Sequence, residues 1–374
     1  MKLTVRTVSR ERTQIFSGDD ALSRINKQIT ALSVNHDNIF ILADSQTRSL
    51  CLPVLYDHVP FLNGSKVLEV EGGERCKSIG TAEFLWQTLN HYSADRNSLL
   101  INVGGGVVTD LGGFVAGGFQ RGIRYFNVPT SLIGQADAAI GGKTGVNLEN
   151  VKNQVGLFYP PTDVFIFTGF LKTLPKNHLR SGLAEIIKSI LLSDLLYWRQ
   201  LQNIPVKSLL DEPTESLLLK KLITAAVAYK VKLVRKDFHE RNIRKALNFG
   251  HTIGHAFESF SMTDDNMPAL HGEAVAAGMI CAAWLSSMKT GLSEKTMKEI
   301  QSYLVEGFEP IPFTVDDISK IIALMKYDKK NRDGKFRFTL LAAPGSPKIN
   351  VSCEPHEVSE ALLNYSHQLK SLEL

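Results

Sequence analysis

Apolar residues in the first hundred positions come in short unbroken runs rather than at helical spacing. Asn38–Ala43 (NIFILA) ends at Asp44, Val67–Val70 runs into the turn Glu71-Gly-Gly-Glu74, and Ser98–Val103 (SLLINV) leads directly into Gly104-Gly105-Gly106. Runs of this length, bounded by turn residues, predict strands of a parallel sheet buried on both faces, with a helix through Asn90 between the second and third. Tyr125–Val128, before Pro129-Thr130-Ser131, reads as a further strand, and the run Val164–Phe167 closes the first half. Beyond Leu174-Pro175 the period becomes 3.6 residues, and Arg180–Leu192, Glu215–Lys236, Asn248–Phe260, His271–Lys289 and Ser293–Tyr303 predict helices. Arg337–Leu341 is expected to be a lone strand. The expected architecture is an α/β N-terminal nucleotide-binding (Rossmann-like) domain over residues 1–174, followed by a mostly α-helical C-terminal domain over residues 175–374. The cleft between two such domains is the default place for a site.

Composition narrows the partners. A chain of 374 residues can bury two cores. A formal charge of +4, with no block of five like charges, argues against nucleic acid but leaves small anionic substrates open. Cys51, Cys76, Cys281 and Cys353 form no CxxC pair, which fits a reduced, cytoplasmic setting and excludes a thiolate zinc site. The N-terminal MKLTVRTVSRERT lacks a signal-type apolar core, and the most apolar run, Ala274–Leu285, is too short to cross a bilayer. No membrane partner is expected.

Candidate chemistry falls in two places. Strand, Gly104-Gly105-Gly106, then a helix from near Val107 is an arrangement that can hold a dinucleotide pyrophosphate, although Thr109 occupies the third glycine position of GxGxxG and tight turns also use GGG. Asp110 either accepts hydrogen bonds near a nicotinamide or caps the local turn. Asp44 either binds ribose hydroxyls, favouring NAD over NADP, or caps a helix. Lys143 follows Gly141-Gly142 in what reads as an exposed loop, where it is open to an anion or to solvent alone. In the second half, His251 and His255 are four apart, Glu185 and Lys188 three apart, and His271 opens another apolar run. One carboxylate and two imidazoles from separate helices can make a three-ligand zinc site, but HxxxH alone is a weak signal, and it lacks the glutamate of a zinc-protease helix.

GGGVVTDLGGFVAGGFQRGI, VPTSLIGQADAAIGGKTGVN, KNQVG, LAEIIK, KVKLVRKDFHERNIRKALNFGHTIGHAFES, LHGEAVAAGM and YDKKN occur in this order. Together they resemble the 3-dehydroquinate synthase family over most of the chain. The resemblance implies a cytoplasmic homodimeric lyase of the shikimate pathway that uses NAD and Zn2+, with Co2+ as the alternative metal, on an anionic sugar phosphate. Glu185, His251 and His271 match the family's metal ligands. Asp44, Glu74, Lys77, Gly105, Gly106, Asp110, Thr130, Ser131 and Thr173 match its cofactor contacts. Arg121, Lys188, Lys230, Arg244, Asn248 and Lys330 match substrate-binding positions, with Lys330 preferred over Lys329 and Arg121 delivered from the neighbouring subunit to the substrate phosphate. Lys143, Lys152, Asn153, Asp137 and His255 are implied in the chemistry itself, His255 as a proton shuttle that is not a ligand. Two neighbours of the site depart from the pattern: Thr109 stands where glycine is common, and Ser181-Gly-Leu-Ala replaces Asn-Gly-Met-Ala.

The implied reaction converts 3-deoxy-D-arabino-heptulosonate 7-phosphate to 3-dehydroquinate and phosphate through transient oxidation at C5, elimination, reduction and aldol closure. Related cyclases acting on sedoheptulose 7-phosphate or glucose 6-phosphate do not need the Arg244 and Asn248 pair to hold a carboxylate. A glycerol-dehydrogenase-like alcohol dehydrogenase would leave the lysine set without a use. A nucleotide-binding protein that had lost catalysis should lack at least one of these positions.

Overall fold

The computed structural model describes residues 1–6, 12–149, 151–262, 268–325 and 335–370. The chain forms two compact units, Met1–Pro175 with Pro213–His239, and Lys176–Glu212 with Glu240–Leu374. The segment Pro213–His239 thus groups with the first unit, where the sequence placed it in the second domain.

The first unit is built on β1 (Lys2–Arg6), β2 (Arg12–Ser17), β3 (Ile39–Asp44), β4 (Lys66–Val70), β5 (Leu99–Gly104) and β6 (Arg124–Pro129), then a hairpin of β7 (Lys143–Leu148) and β8 (Val151–Phe158), and β9 (Asp163–Ile166). Among the described residues the main sheet runs β1-β2-β9-β6-β5-β3-β4, parallel except for the β1–β2 pair. Its helices are α1 (Arg24–Leu32), α2 (Ser45–Leu50), α3 (Leu52–His58), α4 (Ile79–His91) and α5 (Gly106–Gly118). The chain then passes to the second unit as α6 (Lys176–Ser193), α7 (Leu195–Leu201) and α8 (Val206–Leu210), and returns to the first as α9 (Leu217–Lys236).

Unbroken apolar runs serve both faces of the sheet. Ile39, Ile41, Ala43, Leu99, Ile101 and Val103 join one core cluster, while Phe40, Leu42, Leu68 and Leu100 join the other. Helix α5 carries Gly112, Gly113, Gly117 and Gly118, a composition poor for an isolated helix. Packing explains it: a Cβ on Gly112 would lie 1.9 Å from Asn102 Oδ1, so only glycine lets α5 sit on β5. Asn102 in turn donates to Asn127 Oδ1 (2.9 Å), and Asn127 donates to Ala139 O (3.0 Å), tying β5, β6 and the segment after Gly134 together.

The second unit continues with α10 (His251–Ser261), α11 (His271–Lys289), α12 (Glu294–Gly307) and α13 (Ile318–Met325). Strands β10 (Phe336–Ala343) and β11 (Ser346–Cys353) and a last helix, α14 (Pro355–Lys370), complete it. The unit is mostly helical, as expected. Two expectations are corrected. Arg337–Leu341 is not a lone strand, because β10 pairs antiparallel with β11. The polar stretch around Lys143 and Lys152 is not a loop but the β7–β8 hairpin, whose Val146 is fully buried while Lys143 stays exposed. Half-solvated strands with glycines at 145 and 156 carry too few apolar residues to announce themselves. No described helix is long and apolar enough to cross a membrane, and all four cysteines are free and buried.

Asp163 opens β9 with both carboxylate oxygens buried and without a hydrogen-bond partner. Burial pushes its pKa up to about 7, opposed in part by the charge of Lys2. A carboxyl with a raised folded pKa is no burden while protonated, and it costs stability as the pH rises from about 4 to about 7, where the unfolded chain has already given up its proton. Asp163→Asn should therefore flatten the fall in melting temperature across that window and raise it at pH 8, with an upper bound of roughly 4 kcal/mol. Melting curves from pH 4 to pH 8 check this, and an unchanged slope would remove Asp163 as the cause.

Candidate active site

In the parallel part of the sheet, β4-β3-β5-β6-β9-β2, the sense in which successive strands are added reverses between β3 and β5. The carboxyl ends of these two strands are Asp44 and Gly104, where open α/β sheets take their ligands. Gly105 caps α5 without a side chain, leaving leading N–H groups for an anion or water. Thr130 N donates to Gly104 O (3.0 Å), and Ser131 Oγ accepts from Gly134 N (3.2 Å), placing both beside the glycine turn. Asp44 caps α2, accepting from Thr47 N at 2.7 Å. The capping alternative is thus realised, and this leaves the ribose role a proposal. Thr173 Oγ1 bonds within its own turn, to Phe170 O (3.4 Å).

A chain of polar contacts links other expected cofactor and substrate residues. Asn147 donates to Glu74 (2.8 Å) and accepts from the Asn153 N–H (2.9 Å). Lys77 donates to Asn153 Oδ1 (2.5 Å) and to Asp110 (2.6 Å). Burial would lower the Lys77 pKa, but Asp110 and Glu74 outweigh it and hold the ammonium charged. Asn153 has φ 53°, a left-handed conformation that asparagine tolerates better than most. Lys230, on α9, meets Asp137 twice at 2.7 Å, at the carboxylate and at the backbone oxygen. Asp137 itself lies in a π-helical turn, Gly134–Ala138, a local geometry that recurs at functional sites. Arg121 and Lys143 are exposed, and Lys152 is half-buried. Lys330 and the motif YDKKN lie outside the described residues.

In the second unit α6, α10 and α11 bring Glu185, His251 and His271 together, with ligand atoms within 4.8 Å of one another. Glu185 Oε1 is 3.5 Å from His251 Nε2 and 3.3 Å from His271 Nε2. Lys188, one turn along α6, is ion-paired with the other carboxylate oxygen. Both Glu185 oxygens are buried, and their polar neighbours are Lys188 on one side and the two imidazoles on the other. Burial would raise the Glu185 pKa, but Lys188 and His271 pull it down to about 2, so the group is an anion. Burial and the Lys188 charge push His251 well down, leaving a neutral imidazole. For His271, burial is outweighed by Glu258 and Glu185, which carry it up to about 10. A proton and a metal at Nε2 exclude one another, so metal uptake releases a proton and weakens as the pH falls. One anionic oxygen and two imidazole nitrogens, with the second carboxylate oxygen held by Lys188, fit zinc or cobalt.

His255 is exposed, its ring 5.3 Å from that of His251. Arg244 is buried in the 3-10 turn Ile243–Asn248, and Asn248 donates to Glu240 (2.7 Å). Glu258 is a residue the sequence reading missed. It lies seven positions after His251, a spacing that keeps both on one face of α10 and could have flagged it.

Close backbone contact sets the spacing of α6 and α11. Gly272 N donates to Ser181 Oγ (2.9 Å), and a Cβ at 272 would lie 2.0 Å from Ser181 O. The serine that departs from the family pattern thus binds the amide next to a ligand.

Solved structures that share this fold include two complexes with NAD+ and a metal. One is 2-deoxy-scyllo-inosose synthase complexed with carbaglucose-6-phosphate, NAD+ and Co2+ (TM-score 0.83, 23% identity, 97% of this chain and 99% of that one). The other is 2-epi-5-epi-valiolone synthase from Streptomyces hygroscopicus subsp. jinggangensis 5008 with NAD+ and Zn2+ bound (TM-score 0.82, 26% identity, 95% and 96%). The chain has the fold of the sugar-phosphate cyclases. The profiles for 3-dehydroquinate synthase N-terminal and C-terminal regions match residues 67–181 and 182–331. The 3-dehydroquinate synthase of Parabacteroides distasonis is 41% identical over 331 residues, covering 88% of this chain and 92% of that protein. The chain belongs to the 3-dehydroquinate synthase family.

Gly272→Ala should force α6 and α11 apart at the ligands. The expected result is a loss of about 1–3 kcal/mol of stability together with weaker metal retention. Denaturant melts and metal analysis after dialysis measure both, and wild-type metal content would show that this contact does not set the ligand spacing.

Proposed function

We propose that this chain converts 3-deoxy-D-arabino-heptulosonate 7-phosphate to 3-dehydroquinate and inorganic phosphate, with zinc or cobalt at Glu185, His251 and His271 and NAD at the turn after β5. The observation that carries the reading is Glu185, a buried anion with one oxygen paired to Lys188 and the other faced by two imidazole Nε2 atoms, in a chain 41% identical to a family member. When bound, the metal supplies Lewis acidity to substrate oxygens, and the nicotinamide supplies a hydride acceptor that is regenerated within each turnover.

The chain's own groups bind and move protons. Arg244 and Asn248 hold the substrate carboxylate, and Lys143, Lys188, Lys230 and Lys330 add fixed cations, which form stronger hydrogen bonds than neutral donors. Lys152 and Asn153, with Arg121 from a second subunit of a homodimer, hold the substrate phosphate so that it takes the C6 proton as it leaves. His255, exposed beside the metal ligands, relays a proton during ring opening. Asp137 orients Lys230, which it already contacts. Asp110 and Lys77, together with Glu74, Asp44, Gly105, Gly106, Thr130, Ser131 and Thr173, hold and orient NAD. Four free thiols support a cytoplasmic setting.

Incubation with the heptulosonate phosphate, NAD+ and zinc should release phosphate and dehydroquinate in equal amounts without net NADH. Accumulating NADH would instead indicate an alcohol dehydrogenase. Arg244→Ala should lower kcat/KM by about two orders of magnitude, a buried charge pair being worth roughly 3 kcal/mol. Unchanged kinetics would clear Arg244 of the carboxylate role.

A further inference from the structure

A neutral imidazole carries one proton. If His271 gives its Nε2 lone pair to a metal, that proton must sit on Nδ1, and whatever faces Nδ1 must accept it. Glu258 Oε1 is 3.2 Å from His271 Nδ1, and its side chain is only 4% exposed. His251 is arranged differently: its Nδ1 lies 3.2 Å from the backbone oxygen of Phe249. One imidazole is thus backed by a neutral carbonyl and the other by a buried carboxylate.

We propose that Glu258 is a positioning residue for the metal centre: it fixes His271 as the Nδ1–H tautomer, sets the angle of the ring and makes Nε2 a stronger donor than the carbonyl-backed His251. The inference rests on the metal assignment made above. Its physical basis is the stronger hydrogen bond that a charged acceptor forms and the gain in ligand basicity that follows. His271 is also the more exposed of the two imidazoles, 31% against 12%, so it gains more from a partner that holds the ring still. Glu258 could act otherwise, because His255, Glu258 and His271 themselves have ligand atoms within 4.8 Å of one another. As a ligand of a second cation Glu258 would add to the number of ions bound; as a positioning residue it would not.

The test uses the full chain, stripped with a chelator and titrated with zinc against a chromophoric competitor, with cobalt spectra recorded in parallel. Wild type should bind one equivalent, and Glu185→Ala should bind none tightly. Glu258→Ala should keep the one-to-one stoichiometry while losing about 10–100-fold in zinc affinity and shifting the cobalt bands. Glu258→Gln keeps an acceptor oxygen but loses the charge, and should recover most of the affinity with a smaller spectral shift. If Glu258→Ala fails to fold, an unaltered affinity and cobalt spectrum in Glu258→Gln overturns the proposal. So does wild-type affinity in Glu258→Ala, or a second equivalent in wild type that Glu258→Ala abolishes. Failure of wild type to bind any metal would overturn the metal assignment itself, and this proposal with it. Loss of binding in Glu185→Ala, with wild-type affinity and cobalt spectrum kept in Glu258→Ala, would overturn this proposal alone.

Discussion

A carboxylate taken out of water has to be met by positive charge, and in the second unit everything near Glu185 follows from that requirement. Lys188 supplies one cation from the same helix, and the two imidazoles face the other oxygen. An isolated buried anion would protonate instead, but here the surrounding charges hold it ionised. Lys188 and a protonated His271 supply that charge, and a divalent cation at the Nε2 atoms would take the place of the His271 proton.

Such a centre tolerates little slack, and small residues remove it. Ser181 and Gly272 join α6 to α11 through backbone contact. Gly278 sits against Gly250, where a Cβ would lie 1.9 Å from the Gly250 carbonyl oxygen, which fixes α11 against the start of α10. The helices that carry Glu185, His251 and His271 are thus spaced by main-chain contact rather than by long flexible side chains. The same logic appears in the first unit at Gly112 over Asn102.

The sequence carried the architecture well where burial is two-sided or strongly periodic. The runs ending at Asp44 and Gly104 became β3 and β5, and His271–Lys289 became α11 with those bounds. Weakly apolar elements were harder to see. The β7–β8 hairpin, the β1–β2 pair and the β10–β11 pair join strands adjacent in sequence, but polar residues interrupt their apolar positions. At the site, helical spacing only hinted at Glu185, His251 and His271 and the resemblance picked them out; the structure brings their side-chain atoms within 4.8 Å of one another. Glu258 was marked only by its spacing of seven from His251 on α10, and its actual partner, His271, comes from α11. Asp44 shows the converse limit. Its position at a strand end fitted two roles, and the capping bond to Thr47 is a local fact that no sequence pattern decides.

The first unit is not continuous in the chain: α9 joins it only after α6, α7 and α8 have been made. A nascent polypeptide that has reached Pro175 has all nine strands of that unit but not the helix that carries Lys230 to Asp137. During synthesis, then, the early part must wait with a face uncovered until residue 239 clears the ribosome. A truncated product ending near Pro175 would be a sticky, incomplete body rather than a free-standing half, so the two units are more interdependent in their making than their separate cores suggest.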